Sequence, residues 1–448
     1  MLKRSNTSPA APDTHPHSAT PLWKSWNGLV RHDYERCHLI ESTEQLSEVV
    51  ARASHVRPFG HRYSSSDICA GTEVLLDMTS YDAILSVDEE RMEITVQAGI
   101  TLKKLLHHVE GLGWAIPCLP DIDAVTLGGA LATGTHGTGR EGHILSQYMT
   151  RCRLVLPDGS VREVTDTDDL MHALRVSVGA LGVMSEITLR CVPIYTLHLH
   201  ERPMRDEEWV GNLEALHASH EFLRILWLPH TGHGYVITGD RIDPDTPIDH
   251  KPGPSWLKHR RRASRILYSN SWRWPWLTSV ANKLLYQGFF DFPKEHKGTL
   301  YQATVTKKRS STMKLAEWTI PRRLFPTVFT ELRNALDDPT NSAYAHVPMD
   351  VRFLRRDESW LSYAYGEDCV TMGCVCRDVT HAEHYQAFEV MERIFLKHGG
   401  RPHWAKHFLA GSDTLATLYP KFSDFQQLRA QMDPTDKLLT PYLERILT

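Results

Sequence analysis

The chain has 448 residues, of which 41% are hydrophobic and 23% are charged, and its formal net charge is −4 at pH 7. These proportions are those of a soluble globular protein, and the length predicts two domains. The negative net charge argues against a general nucleic-acid-binding protein. Eight cysteines in a chain of this length are too dilute for a disulfide scaffold.

The N-terminal segment and the hydropathy pattern predict the cellular location of the protein. Residues 1–22 are rich in Ser, Thr, Pro and Ala and lack the apolar segment of a signal peptide, so we predict a disordered tail. No apolar run reaches the roughly 18 residues of a transmembrane helix. We expect a cytoplasmic protein, with a membrane-associated one as the alternative.

The elements before residue 195 alternate between strands and short helices. Ser42 is a suitable N-cap for a first helix, and Thr101 begins a second one that ends near Leu112. A short strand and a polar turn occupy 56–67. The apolar patterns predict strands at 75–78, 84–87, 92–98, 151–156, 160–164 and 184–192, and a helix at 168–173.

The pattern changes after Pro193. Paired strands are expected at 221–229 and 235–238, followed by a long irregular insertion at 240–300. Further strands are predicted at 316–320, 348–354 and 369–376, and helices at 322–336 and 380–397. The segment 422–447 reads as two short helices joined at Asp433-Pro434.

One stretch, residues 118–140, stands out because it is rich in glycine and threonine. Backbone N–H groups in such loops form concavities that hold anions such as a diphosphate, and the apolar residues between the glycines indicate that the loop is packed. Residues 137–142 also match the G-x-G-x-x-G dinucleotide pattern. A strand follows almost at once, which leaves no room for the crossover helix of that motif, so we reject a nicotinamide-binding unit.

Metal binding is not expected. Cys374 and Cys376 alternate with apolar residues, which predicts a buried strand. The pairs His198/His200 and His230/His233 have no third ligand at the spacing of a zinc site.

The insertion contains four tryptophans among lysines and arginines at 256–276. Such a mixture is typical of a contact with a membrane surface or an anionic partner. A lid or an oligomer contact, in which arginines stack on tryptophans, is the alternative.

Four segments occur in a telling order: the loop at 58–67, TLGGALATGTHGTG at 126–139, VLPDGSVREV at 155–164, and VSVGALGVMSEITLRCVP at 176–193. Together they resemble the FAD-binding domain of the vanillyl-alcohol-oxidase-type (PCMH-type) flavoproteins, and most of all the sugar-lactone and alditol oxidases. FLRILWLPHT at 222–231, EWTIP at 317–321, PMDVRFLRRDESWLS at 348–362, RPHWAK at 401–406 and MDPTDKLLTPYL at 432–443 are similar to that subfamily too. The resemblance covers the chain from Trp23 onwards, except for the insertion.

The resemblance implies an α+β fold. Residues 23–195 would form a two-subdomain FAD-binding domain that holds the diphosphate between the loops at 58–67 and 121–138. Residues 196–400, with the insertion at 240–300, would form a cap domain whose antiparallel sheet is flanked by helices. Residues 401–448 would return to the FAD site.

The resemblance also implies the site residues. Lys406 would be a cation near the flavin and the substrate oxygen, Arg352 would orient that oxygen, and Asp350 would bind a hydroxyl or position Arg352. His403 would relay a proton, or else be structural. The implied FAD-binding residues are Pro58, Phe59, Gly60, His61, Arg62, Tyr63, Ser64, Asp67, Pro120, Asp121, Ile122, Thr126, Gly128, Gly129, Thr133, Gly134, His136, Gly137, Thr138, Gly182, Val183 and Lys406.

Two departures from the family pattern qualify the site. Tyr63 stands where many members carry a flavin-linked histidine, which favours noncovalent FAD, with a covalent link through His61 as the alternative. Asp350 replaces the usual glutamate of a Glu-x-Arg pair. Because its side chain is shorter and reaches less far, the sequence does not fix the class of substrate.

The implied function is an FAD-dependent oxidase that moves a hydride from a CH–OH group of a sugar lactone or polyol to flavin N5. Pro120 occupies the position that governs dioxygen access in the lactone-oxidising relatives, which favours dioxygen as the acceptor. The alternatives are a dehydrogenase that passes electrons to a carrier, and a non-enzymatic flavin-fold protein that binds a partner or a membrane through 256–276.

Overall fold

The computed structural model describes residues 22–247, 266–267, 270–271, 273–305, 313–377 and 385–448. The predicted tail, apart from Leu22, lies outside these residues, as do most of 256–276 and the first five residues of the helix predicted at 380–397. Within the described residues, no helix combines the length and the apolar character needed to cross a membrane.

Residues 22–195 form small sheets with short helices between them. The predicted helix starts are confirmed, because the side chains of Ser42 and Thr101 accept hydrogen bonds from Gln45 N and Lys104 N. The helices are α1 (Thr43–Arg52), α2 (Leu102–Gly111), α3 (Leu127–Ala132) and α4 (Leu170–Leu174), with a 3₁₀ turn at Leu145–Tyr148. The strands are β1 (Leu22–Lys24), β2 (Arg31–Asp33), β3 (Arg36–Leu39), β4 (Val56–Phe59), β5 (Val74–Asp77), β6 (Ile84–Asp88), β7 (Glu93–Gln97), β8 (Trp114–Ala115), β9 (Met149–Val155), β10 (Val161–Thr165), β11 (Val183–Arg190) and β12 (Val192–Pro193).

Two sheets organise this part of the chain. A parallel sheet has the order β3-β5-β4, and an antiparallel sheet has the order β10-β9-β11-β7-β6. The predicted hairpin of β9 and β10 is confirmed, with Val161 paired to Val155 across the turn. The glycine-rich stretch follows β8 and enters α3, so both of its ends are anchored in this region.

An eight-stranded antiparallel sheet dominates the rest of the chain, with the order β16-β13-β15-β14-β18-β19-β17-β20. Its strands are β13 (Thr196–Arg205), β14 (Phe222–Leu228), β15 (His233–Ile242), β16 (Lys294–Thr299), β17 (Met313–Pro321), β18 (His346–Leu354), β19 (Cys369–Arg377) and β20 (Arg401–Pro402). The helices are α5 (Asp206–Gly211), α6 (Leu213–Ser219), α7 (Leu277–Phe289), α8 (Leu300–Thr304), α9 (Phe325–Asp337), α10 (Gln386–Lys397), α11 (Ser412–Leu418), α12 (Phe422–Met432) and α13 (Pro441–Leu447), with 3₁₀ turns at Arg322–Leu324 and Pro339–Asn341.

Apolar residues facing the helices close one side of the large sheet. Trp318 of β17 is fully buried, and its ring lies 6.4 Å from that of Phe395 in α10. Phe329 of α9 meets Trp209 and Trp227 edge-on at 4.7 and 4.8 Å. Both indole N–H groups donate to the buried Asp206 at 3.1 Å, which satisfies that carboxylate.

The fold departs from the sequence predictions in several places. The insertion at 240–300 was expected to be irregular, which is wrong for its second half, because α7 and β16 lie there. The strand β13 and the helix α11 were not foreseen. In contrast, Cys374 and Cys376 lie on β19 and are 1% exposed, so the prediction of a buried strand is confirmed.

The end of the chain returns to the beginning. Ser65 N donates to Ala405 O at 2.8 Å, and Ser66 Oγ donates to Trp404 O at 3.1 Å. The buried guanidinium of Arg57 donates to the carbonyl oxygens of Val178, Gly179 and Leu438 at 2.8 to 2.9 Å. These bonds hold the segment 401–406 beside the loop that follows β4.

Candidate active site

A cavity of about 510 Å³ lies between the loop that follows β4 (residues 60–67, the β4 loop), the glycine-rich stretch and one face of the large sheet. Its volume is that of a site for a drug-sized or cofactor-sized molecule. Most of the residues singled out from the sequence line it: Pro58, Phe59, Gly60, His61, Arg62, Tyr63, Ser64, Pro120, Asp121, Ile122, Thr126, Gly128, Gly129, Thr133, His136, Gly182, Val183, Asp350, Arg352, His403 and Lys406.

The β4 loop offers a row of unsatisfied backbone donors. Among the described residues, no acceptor is present for the backbone N–H groups of His61, Arg62, Tyr63 and Ser64. Arg62 has a φ of 62°, in the left-handed region. Successive N–H groups with such a left-handed residue form a concavity that binds anions, so this loop fits the diphosphate of a dinucleotide.

The glycine-rich stretch packs against the β4 loop where any side chain would collide. A Cβ on Gly60 would lie 1.9 Å from Thr126 Oγ1, at the start of α3. Gly128 N donates to Ala98 O at 2.8 Å, which ties α3 to the segment after β7. The two loops therefore form a cradle with unpaired amides and without bulky side chains, and this cradle fits FAD.

Four of the residues selected from the sequence do not line the cavity: Asp67, Gly134, Gly137 and Thr138. Gly134 has a φ of 68° and lies against Tyr363, whose hydroxyl would be 2.5 Å from an added Cβ. Thr138 Oγ1 donates to Leu223 O and accepts from Phe353 N, so it ties the stretch to the large sheet. Gly137 packs against Leu119 O, and these contacts are internal to the protein.

Two arginines and two aspartates form one ion-pair cluster on the sheet face. Arg224 of β14 donates to both carboxylate oxygens of Asp350, at 2.8 and 2.6 Å. Arg352 Nε donates to Asp350 Oδ2 at 2.9 Å, and Arg352 Nη2 lies 3.3 Å from Asp121. Antiparallel pairing puts Arg224 opposite Arg352, which explains why both reach Asp350.

Burial and charge oppose each other in this cluster. Burial by itself would raise the pKa of Asp350, but Arg224 and Arg352 outweigh it and hold that pKa below its usual value. Burial would lower the pKa of Arg352, yet Asp350 and Asp121 raise it above the ordinary range. Asp350 and Arg352 are therefore both ionised at neutral pH. Since the oxygens of Asp350 are already engaged, its first role in this geometry is to position Arg352.

A second cluster joins His136, Glu317 and His403, whose side-chain ligand atoms all lie within 4.8 Å of one another. His136 Nε2 is 2.9 Å from Glu317 Oε1, and His136 Nδ1 is 3.0 Å from Gly137 O. Burial would raise the pKa of Glu317, but His136 lowers it well below its usual value. Both ring nitrogens of His136 then face acceptors, so each must carry a proton and His136 is an imidazolium.

His403 differs from His136 in its protonation. Ala405 N donates to His403 Nδ1 at 3.1 Å, so Nδ1 is an acceptor and the proton sits on Nε2. Burial lowers the pKa of His403 well below its usual value, and Lys406 also lowers it. The imidazole is therefore neutral and presents an N–H donor. The cations Arg352 and Lys406 near this cluster disfavour a metal ion, and the absence of metal in the cavity stays a prediction.

The residues at the family's flavin-linking position are also visible. The ring of Tyr63 stacks on Trp26, with 5.5 Å between centroids and 13° between planes. His61 Nδ1 lies 3.0 Å from Ala124 O. Both side chains border the cavity, so the choice between noncovalent FAD and a link through His61 stays a prediction.

Sequence reasoning missed Arg224 and Glu317 as members of the site. Both belong to segments, FLRILWLPHT and EWTIP, that were noted only for their resemblance to the family. Each is a charged residue inside an otherwise apolar strand, and this pattern could have indicated them. A charged side chain is buried only when an oppositely charged or hydrogen-bonding group pairs with it. Glu317 pairs with Gly373, which pairs in turn with Asp350, so a residue without a side chain separates the two clusters.

Comparisons with known proteins agree with this geometry. A family model described as D-arabinono-1,4-lactone oxidase matches residues 187–446, and a model described as an FAD binding domain matches 37–165. The L-gulonolactone oxidase of Scyliorhinus torazame is 30% identical over 91% of this chain and 93% of its own length. The L-gulono-1,4-lactone dehydrogenase of Mycobacterium tuberculosis is 28% identical over 96% of this chain and 99% of its own, and the alditol oxidase of a Streptomyces species is 24% identical over 94% and 98%.

A solved structure of a solvent-stable cholesterol oxidase has a TM-score of 0.79 at 19% identity and covers 97% of this chain and 99% of its own. Together with the match to the FAD-binding family model, this likeness confirms the predicted α+β fold, a PCMH-type FAD-binding unit with an antiparallel sheet flanked by helices. The match to the FAD-binding family model confirms FAD as the cofactor. The chain belongs to the D-arabinono-1,4-lactone oxidase family of FAD-dependent oxidoreductases.

Proposed function

We propose that this FAD-dependent oxidoreductase oxidises a CH–OH group of a sugar lactone or polyol, with dioxygen as the electron acceptor. One observation carries the proposal: Arg352, Lys406 and the neutral His403 border the same cavity as the unpaired amides of the β4 loop. The names of the relatives, which include lactone oxidases and an alditol oxidase, support the same substrate class.

The chain's own loops would hold the cofactor. The amides of residues 61–64 would bind the diphosphate, and the segment from Thr126 to Gly129 would lie against it. When bound, FAD supplies a two-electron acceptor for the hydride that leaves the carbinol carbon. We assign residues 23–195 to FAD binding, 196–400 to the substrate cap and 401–448 to the segment that completes the site.

The charged groups of the sheet face would bind the substrate. Arg352 is fixed by Asp350, Asp121 and the carbonyl oxygen of His136, so the remaining N–H of its Nη1 would orient a hydroxyl or carbonyl oxygen of the sugar without reorganising. Lys406 would stabilise the negative charge that develops on the oxygen as its proton passes to a water molecule in the cavity. Asp350 acts through Arg352 and is a positioning residue.

His403 would serve as a hydrogen-bond donor rather than as a base. Its Nδ1 is occupied by Ala405 N–H and its Nε2 carries the proton, so it can take up a second proton only by breaking that bond. A donor at this position would hold a substrate oxygen beside Lys406.

The acceptor is the finer part of the proposal. Pro120 borders the cavity, has no backbone N–H and has a fixed φ, so it would leave a gap through which dioxygen reaches the bound flavin. A dehydrogenase that uses a carrier is the second candidate, because one relative is named as a dehydrogenase. Most of the 256–276 segment lies outside the described residues, so a membrane contact there and the cytoplasmic location stay predictions.

The test is anaerobic mixing of the purified yellow protein with a panel of sugar lactones and alditols. We expect loss of the flavin absorbance with at least one of them. Lys406→Met should keep its FAD and slow this bleaching by about 100-fold or more, whereas Lys397→Met, which changes an exposed lysine paired with Glu331, should not. Bleaching at an unchanged rate in Lys406→Met would remove that lysine from the mechanism, and no bleaching with any member of the panel would refute the substrate class.

Two further measurements separate the remaining alternatives. Reduced protein mixed with air-saturated buffer should reoxidise quickly and yield hydrogen peroxide, while slow reoxidation beside a fast reaction with a quinone would indicate a dehydrogenase. Acid denaturation should release FAD into the supernatant, because Tyr63 occupies the linking position. Flavin fluorescence that stays with the polypeptide would point instead to His61.

A further inference from the structure

A cluster of metal-ligating side chains lies at the edge of the large sheet. His198 and His200 of β13 and Glu295 of β16 form it, and none of the three lines the redox cavity. His198 Nε2 lies 3.1 Å from one oxygen of Glu295, and His200 Nδ1 lies 3.5 Å from the other. The centroids of the two imidazole rings are 4.0 Å apart. These groups thus converge on one point from two strands.

The strand geometry explains the convergence. Residues two apart on a strand point to the same face, so the two histidines lie side by side. Register pairs His200 directly with Glu295, across the edge of the sheet. The third ligand that the local sequence lacks is therefore supplied by a residue 95 positions further along.

The distances suit a tetrahedral ion. Zinc binds imidazole nitrogen at about 2.0–2.1 Å and carboxylate oxygen at about 2.0–2.2 Å, which sets neighbouring ligand atoms roughly 3.4 Å apart. The observed separations are 3.1 and 3.5 Å, each to a different oxygen of Glu295, and one ligand atom from each of the three residues lies within 4.8 Å of the others. A hydrogen-bonded trio, with each histidine donating to the carboxylate, has similar distances, and metal titration distinguishes the two.

The surrounding charges leave the site accessible. Lys297, opposite His198, donates its ammonium to the carbonyl oxygens of Pro244 and Thr246. Asp240, on the other side of His198, accepts from His220 at 2.7 Å. The side chains of His198, His200 and Glu295 are 17%, 47% and 40% exposed, so an ion can enter from solvent and keep a water molecule as its fourth ligand.

We propose that His198, His200 and Glu295 bind one divalent transition-metal ion of the zinc class. The bound ion links β13 to the edge strand β16, which lies at the end of the insertion 240–300. Such an ion replaces a weak exposed ion pair with three coordinate bonds, so it stabilises the edge of the sheet against opening.

The experiment uses the FAD-loaded protein after treatment with a chelator, titrated with Zn²⁺ against a chromophoric competitor at pH 7.5. Several of the 26 histidines could bind zinc weakly, so the informative quantity is the difference between variants. We expect His200→Ala and Glu295→Gln each to bind one equivalent of zinc fewer than the wild type, or to bind it more weakly. The loss of affinity should exceed the roughly 10-fold that removing a partner of a metal ligand costs. His296→Ala is the matched control, since His296 lies on the other face of β16, near Glu201.

Two additional readouts sharpen the result. The affinity should follow the order Cu²⁺ above Zn²⁺ above Co²⁺ above Mn²⁺, with no competition from Mg²⁺ or Ca²⁺. Zinc should raise the urea midpoint of the wild type and the control but not that of His200→Ala. Equal zinc stoichiometry and affinity in wild type, His200→Ala and Glu295→Gln would overturn the proposal and leave the hydrogen-bonded trio. The FAD content and circular dichroism of each variant show that it is folded.

Discussion

The charge of Glu317 is the feature of the site whose removal has the clearest expected effect. Glu317→Gln keeps the shape of the side chain and removes its negative charge. His136 Nε2, 2.9 Å away and 2% exposed, then loses the carboxylate that stabilises its imidazolium. We expect the variant to fold, to bind FAD and to be markedly less stable than the wild type.

The size of the effect follows from burial. Breaking a buried ion pair by removing one partner costs about 3–5 kcal/mol. The side chain of Glu317 is 12% exposed, and Gln can still accept one hydrogen bond, so we expect the low end, about 3 kcal/mol. Burial opposes ionisation of Glu317, yet His136 holds its pKa well below the usual 4.5. Its stabilisation is therefore fully present above pH 4.5 and is lost as the pH falls through the lowered folded-state pKa.

Urea unfolding of the FAD-loaded proteins measures this difference. Glu331→Gln is the matched control, because Glu331 also lies 2.8 Å from a histidine, His398, but is 32% exposed. An exposed pair contributes about 0–1 kcal/mol. If Glu317→Gln cost no more at pH 7 than this control, the assignment of His136 as a buried imidazolium would be wrong.

Two further predictions concern the loop cradle and a buried acid. Gly60→Ala places a methyl carbon 1.9 Å from Thr126 Oγ1, so it should lower the FAD content. Gly111→Ala, whose methyl carbon would have nothing within 4 Å, should leave the FAD content unchanged. An unchanged flavin-to-protein ratio in Gly60→Ala would contradict the proposed cradle for FAD. Burial raises the pKa of Asp357 to about 6, so its neutral form stabilises the fold at low pH, and about 3 kcal/mol should be lost as the pH rises from 4 through 6. Asp357→Asn should flatten this part of the pH profile of unfolding free energy, and an identical slope in both proteins would refute the shift.

Local sequence was sufficient wherever one segment makes a feature by itself. The caps at Ser42 and Thr101 and the β9–β10 hairpin depend on neighbours within a few residues. The glycine-rich stretch is predictable for the same reason, since small residues in a row restrict a loop to close backbone contact. The family resemblance then led to FAD and to the pair Asp350 and Arg352.

Tertiary structure decided what those residues do. Register alone brings Arg224 to Asp350, which turns that aspartate from a free substrate ligand into the support of Arg352. Glu317 and the backbone of Ala405 assign opposite protonation states to His136 and His403, although both histidines border the same cavity. Sequence spacing cannot reveal such partners because they come from strands and loops far apart in the chain. Charge, hydrogen bonding and metal ligation act through space, and that is why His198 and His200 acquire Glu295 only in the folded sheet.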